Sequence, residues 1–519
     1  MRGPIEEIVF FGDDVRIGRF PAHTRFVYAN EALAALPDFD AELRAALDRP
    51  LGAEPLEKQL GPKSRVTIAF DDPCLPVPLM LRDPRAKVVG EVLKRLFTIG
   101  IPKERIRIVC ANGLHRKWSL DELKTVLGRK VVSLMAERIS CHDATLDDEL
   151  SFLGTTSRGH EVEVNRACVE ADMLIYVNLN FTSMNGGAKS VLVGLGSWRS
   201  IRHHHGPAQW NTDASIMDPA TCPMHAILAE MYPLVQKGCN VFQIETVTNN
   251  NVWPFPLDLL LAPLGSEHGR KRAGALRRTL FEAASLAPEA FKGWVRKRLV
   301  RSDYRPVAVK AGAPGPVHAR TLDVLFRQQN VAVESQADVV IYGVPSLSPY
   351  SSLSDFNPIL LRSLVMGYLV GLFRGRPLVK KGGVVIACNP GFEQFNERHH
   401  PAYIDFWKNH LPEYEDPVRC WEELSEPYAA NERYLARYRE DLAYHGAHGL
   451  INWMWSGMGL KHVSSVILAG AREPLTARKI GFIPEPDLDR AIDRALETAG
   501  RDASITYQVI PPLFCVDVA

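Results

Sequence analysis

Short β-branched and aromatic runs alternate with amphipathic helical stretches along almost the whole chain, a rhythm that dictates mostly parallel sheets covered by helices. Strands are expected at 8–11, 65–70, 105–110 and 173–177, with helices at 87–98 and 120–127, the second capped by Ser119. In 87–98 the apolar residues Val88, Val89, Val92, Leu93 and Leu96 line one helical face. The stretch 265–316 breaks the rhythm: it is helical, basic at Arg270, Lys271, Arg272, Arg277 and Arg278, and ends in a Gly/Pro-rich run. Beyond it the alternation resumes, with strands at 339–342, 383–388 and 463–468 and helices at 357–373, 421–442 and 487–498. A chain of 519 residues exceeds the ~250 to 300 that one core supports. The expected layout is α/β with two domains: 1–300 binding a cofactor, a linker at 301–316, and 317–519. The active site would occupy the cleft between them, at the carboxyl ends of strands.

With 61 basic and 60 acidic side chains the net charge is +1, so no overall field gathers nucleic acid or anionic lipid. The basic patch at 270–278 reads first as a solvated helix face. Nine cysteines, scattered and without a C-x-x-C pair, indicate neither a thiolate zinc site nor a disulfide framework. The N-terminus lacks signal-peptide character, and the longest apolar stretch, near 259–264, is far short of the ~20 residues that cross a bilayer. A cytoplasmic protein with neither membrane nor nucleic-acid partner is expected.

Three segments after expected strands carry candidate chemistry. Asp71 and Asp72 open a proline-stiffened loop, where a carboxylate holds a ribose hydroxyl, orients a base or is simply solvated. Residues 111–116 place His115 and Arg116 just after Gly113; a structural histidine is the plain alternative. The third runs from Asn178 through Gly186, Gly187 and Lys189 to the consecutive His203, His204 and His205. Paired glycines can expose N–H groups to an anion, and a nearby lysine complements a phosphate or, deprotonated, is a nucleophile. Neither a P-loop nor a G-x-G-x-x-G spacing is present. Imidazole is a common transition-metal ligand, although three adjacent histidines cannot all face one ion.

In order and spacing these segments resemble the nickel-pincer-nucleotide lactate racemase family: Asp72 to Pro76 (DPCLP), Gly113 to Arg116 (GLHR), Gly186 to Lys189 (GGAK), and His205 sixteen positions on. The resemblance implies that Lys189 carries a pyridinium-3,5-bisthiocarboxylic acid mononucleotide through a thioamide, with nickel held by a ring carbon, two sulfurs and His205. It implies that Asp72, Arg116, Gly186 and Gly187 help bind the cofactor and that His115 is an acid/base histidine, taking the hydroxyl proton of a 2-hydroxy acid during hydride transfer.

Three departures stand out. The family's second acid/base histidine falls at Leu179 or Asn180, the arginine of its first motif is Leu75, and a lysine of its second domain falls within 357–361, which has none. Small carboxylates are best held by bidentate arginine. The expected substrate is therefore larger than lactate, a sugar acid among the candidates, held by hydroxyl or amide hydrogen bonds. A racemase or epimerase of a 2-hydroxy acid leads; a one-base pincer-dependent oxidoreductase or dehydratase, and an inert nucleotide- or partner-binding relative, are the alternatives. Cofactor-synthesis proteins are the expected partners. In the second domain, 346–354 and 388–393 follow strands and either face the cleft or cap helices, while His399, His400, His445 and His448 invite a weaker metal reading.

Overall fold

Residues 66–70 are all buried, as are 173–180, and strands buried along their whole length need cover on both faces. The computed structural model, which describes residues 4–209, 212–266 and 274–519, provides that cover. A six-stranded sheet runs Pro306–Gly312, Val241–Thr248, Met173–Asn180, Val66–Asp71, Ile106–Ala111, Ile139–Cys141, parallel except for the first pair. Pro84–Ile99 and Leu120–Met135 pack on it through Val88, Val92, Leu96, Leu123 and Leu127. Ser119 and Glu122 cap Leu120–Met135 reciprocally. The fold is α/β, with a second, eight-stranded sheet built around Ala337–Pro345 and Val379–Cys388.

The domain boundaries differ from expectation at both ends. The strand expected at 8–11 is Ile5–Gly12, and it pairs with Asp14–Phe20 and with Ala337–Pro345 in the second sheet. Both of its faces are apolar, and Val9 and Phe11 reach a core shared with Val339 and Ile341. Residues 301–316 are no linker. They hold Pro306–Gly312, an edge strand antiparallel to Val241–Thr248, followed at once by the helix Pro314–Gln329. Proline at the start of a helix is conformationally favourable, so the Gly/Pro-rich run marks a helix start. Within 265–316, Gly274–Ser285 and Glu289–Arg298 are helical. Of the basic patch, Arg270, Lys271 and Arg272 lie outside the described residues; Arg277 is buried on the carbonyls of Leu259 and Ala262, and Arg278 pairs with Glu6.

Two expected helices are divided. The 357–373 stretch is Pro358–Arg362 followed by a π-helical segment, Ser363–Leu369, a geometry enriched at functional sites. The 421–442 stretch splits at Asn431, whose side chain caps Glu432–Glu440. No described helix is long and apolar enough to cross a membrane.

Candidate active site

Val66–Asp71, Ile106–Ala111 and Met173–Asn180 end side by side, and the loops they deliver line one cavity. The first loop is clamped from behind by buried Arg85, which donates to the carbonyls of Asp71 (2.6 Å), Asp72 (3.1 Å) and Leu75 (2.8 Å) and pairs with Asp83 (2.7 Å). Asp71 accepts from Leu179 N, Asn178 Nδ2 and Tyr176 OH, tying this loop to the neighbouring strand. Burial outweighs those bonds and pushes its carboxyl up to about 6.

Asp72 turns toward the second loop. Its Oδ2 lies 3.2 Å from His115 Nδ1 and accepts from Trp118 Nε1 at 3.3 Å, while the Cys74 thiol donates to Oδ1 at 2.7 Å. Burial alone would raise Asp72, but His115 and these donors hold it below the usual carboxylate range. Asp72, Cys74 and His115 place ligand-type atoms within 4.8 Å of one another. Burial and the Asp72 charge raise the Cys74 thiol well above its ordinary pKa, so the trio is a hydrogen-bonded support for the imidazole. Gly113 (φ 50°) shapes the loop: a Cβ there would stand 2.5 Å from Val193 O. Arg116 does not line the cavity as expected. Its guanidinium is buried on Glu122 (2.8 Å) and lies over the Trp118 ring, 3.8 Å from the centroid, bracing the indole that bonds Asp72.

The third loop ends in Gly186 and Gly187, both at positive φ, and then the short helix Ala188–Gly194. Gly186 lines the cavity, but Gly187 N donates to Glu245 Oε1 (2.9 Å) and is not free for an anion. Buried Glu245 also accepts from Asn180, Gln243 and Thr321 and meets His318 at 3.2 Å. A Cβ on Gly186 would fall 2.7 Å from His318 Nδ1, so the glycines are what let this cluster support the turn. Half-buried Lys189 enters the cavity with no hydrogen-bond or ion-pair partner among the described residues. Desolvation, opposed by Asp71, lowers its amine to about 8.

Of the three consecutive histidines, His205 lines the cavity. Its Nδ1 is 2.8 Å from His204 Nδ1, leaving Nε2 to a ligand. Burial, then the charges of Lys189 and His115, lower it to about 3, so the ring is neutral. His204 is fully buried behind it, and His203 faces Glu161 (3.7 Å) and His160.

The facing wall comes from the second sheet's helices and loops: Tyr350, Tyr368, His448, Asn452 and Trp455. His448 was invisible as an acid/base candidate in the sequence. Its ring lies 5.2 Å from that of His115, and its Nδ1 is 2.8 Å from Tyr403 OH, which also accepts from Asn452 Nδ2. Burial and neighbouring histidines keep it neutral. The Tyr350 and Tyr368 hydroxyls are 2.9 Å apart. From the 346–354 segment, Pro349 and Tyr350 reach the cavity; none of 388–393 does, Asn389 being used to cap Gly391 N and hold Val344 O. His399 meets Ser354, His400 stacks on Tyr444, and His445 stacks on Trp198, so these rings serve packing rather than one metal. Leu179 and Asn180 are buried, and neither titrates.

Residues 17–216 match the lactate racemase N-terminal domain. Lactate racemase of Lactiplantibacillus plantarum is 32% identical over 164 residues, and that of Thermoanaerobacterium thermosaccharolyticum is 28% identical over 167 residues. Each match spans 31% of this chain and 37% of the relative. The lactate racemase apoprotein structure from Thermoanaerobacterium thermosaccharolyticum superposes with a TM-score of 0.62 at 17% identity, covering 99% of this chain and 100% of that one. A protein from Thermotoga maritima gives 0.53 at 14% identity, covering 94% and 100%. At those identities the superpositions speak for the fold alone. Residues 17–216 are thus similar to the lactate racemase N-terminal domain, and the chain spans little more than a third of the length of the curated relatives it matches.

Proposed function

We propose that this chain is a racemase or epimerase of a 2-hydroxy acid, working with a nickel-pincer nucleotide attached to Lys189. One observation carries the reading: an unpaired amine (Lys189), a neutral imidazole (His205) and a carboxylate-oriented imidazole (His115) converge on one cavity. These residues fit the group. An amine lowered to about 8 becomes uncharged as pH rises through that value, well below an ordinary lysine, and can form an amide-type bond, and a neutral ring nitrogen is a nickel ligand. Asn112 Oδ1, buried without a hydrogen-bond partner among the described residues, offers an acceptor to a ligand hydroxyl. When bound, the group supplies a reversible hydride acceptor.

The protein's own part is proton handling and positioning. Asp72 holds His115 Nδ1–H, so Nε2 is the atom that takes the substrate hydroxyl proton and gives it back. His448 reaches in from the facing wall as a neutral imidazole whose ring lies 5.2 Å from that of His115, too close for the two to flank a substrate from opposite faces. Tyr350 and Tyr368, bonded to each other, leave one hydroxyl proton for a ligand oxygen where an arginine is missing, and Trp455 helps exclude water. Proteins that synthesise the cofactor are the partners this reading requires.

The test is inversion of single-enantiomer 2-hydroxy acids by loaded protein in D2O. Inversion with the original hydrogen retained on the carbinol carbon supports the reading. Deuterium at that carbon would mean proton abstraction instead, and accumulation of 2-keto acid would favour an oxidoreductase.

A further inference from the structure

A second cavity adjoins the first, and Leu75, Met184, Pro349 and Tyr368 belong to the walls of both. Resting on the 2-hydroxy-acid reading above, we propose that the substrate carries an extended apolar substituent, an alkyl chain or aryl group, on the carbinol carbon, and that this annex holds it.

The annex wall is apolar, with Val77, Phe181, Trp253, Leu347, Leu369 and Leu513 drawn from both halves of the molecule. Several of them, Val77, Trp253, Leu347 and Leu513, keep part of their surface open. The hydroxyls present are already satisfied: Thr182 Oγ1 donates to Asn185 Oδ1 at 2.8 Å, and Ser348 meets Ser351. Among the described residues Trp253 Nε1 is left as a donor without a partner. A polyhydroxylated tail would lose water here and regain few hydrogen bonds, which is costly, whereas an alkyl or aryl tail loses nothing. Leu75 stands at the junction, and Lys189 is the one lysine or arginine lining the first cavity among the described residues. With that amine engaged, no cation meets a second carboxylate. This turns the substrate expectation away from sugar acids and toward hydrophobic 2-hydroxy acids.

Calorimetric titration of the full chain with lactate, 2-hydroxybutanoate, 2-hydroxyhexanoate, 2-hydroxyoctanoate and 3-phenyllactate reads the annex directly. Affinity should rise by about 4-fold per buried methylene, the equivalent of ~0.8 kcal/mol. Leu347→Trp, which fills the annex, should flatten the series; Leu347→Ala, which enlarges it, should move the tightest binder to a longer chain. Unchanged thermal melting would show both variants folded, and the wild-type and Leu347→Ala series decide the matter should the tryptophan variant not fold. A flat wild-type series, a maximum at lactate, or displacement of 2-hydroxyoctanoate from Leu347 variants and wild type alike by nicotinic acid mononucleotide would overturn the proposal. Graded binding without inversion would sink the racemase reading and leave the annex standing. Inversion that ignores chain length would do the reverse.

Discussion

His115 Nδ1 faces Asp72 Oδ2 at 3.2 Å, and Trp118 and Cys74 hold that carboxylate in place from its other sides. The imidazole, which lines the cavity, is thereby fixed through Nδ1, leaving Nε2 as the nitrogen not held by Asp72. His115→Ala should cut turnover ~100- to 10,000-fold, the usual contribution of a general acid–base group. Asp72→Asn, which keeps the shape and loses the charge, should cost ~10- to 100-fold, as outer carboxylates that orient imidazoles do. Steady-state kinetics beside an intact mass would check that both variants stay loaded.

The His448 ring, on the wall that faces the His115 loop, lies 5.2 Å from the His115 ring. A shared proton station requires that His448→Phe slow both directions of inversion, by ~100-fold or more if the ring exchanges the proton itself. Forward and reverse rates measured from each enantiomer decide this. A loss confined to one direction would show that the two rings serve opposite faces.

The amine of Lys189 is lowered to about 8 by desolvation, with Asp71 opposing. The neutral amine is the reactive form, so raising pH through 8 should switch on its acylation, well below the ~10.4 of ordinary lysines. Competitive labelling with acetic anhydride, read peptide by peptide, should give a midpoint near that value. Asp71→Asn removes the opposing charge and should lower the midpoint further.

Glu245 is the hub under the glycine turn. Its carboxyl is buried, yet His318, Thr321 and Gly187 N hold it below its unfolded value. A depressed carboxylate contributes stability that is complete above the unfolded pKa and is lost as pH falls through the folded one. Glu245→Leu should cost ~3 kcal/mol at neutral pH, leaving several donors unpaired. The gap in melting temperature from wild type should narrow as pH drops below about 4.

The loops after local strands were readable because each follows its strand directly: Asp72, His115, Gly186, Lys189 and His205 can be placed from order and spacing, and all five line the cavity. Arg116 misled because its partner, Glu122, belongs to a capping box whose second use a one-dimensional reading does not show. His448 and Tyr368 are set by packing between halves separated by more than 150 residues, and the route of the chain hides in the same way. Ile5–Gly12 reads as a strand anywhere, and only its pairing with Ala337–Pro345 assigns it to the far sheet.

Peptide-resolved mass measurement of the chain isolated from cells that make the cofactor, with nickel measured on the same sample, tests the central claim most directly. The account predicts one adduct on the peptide carrying Lys189, absent in Lys189→Ala, and stoichiometric nickel that is lost in His205→Ala while the adduct remains. An unmodified Lys189 in cells where a co-produced lactate racemase is loaded, or an adduct on another lysine, would contradict it.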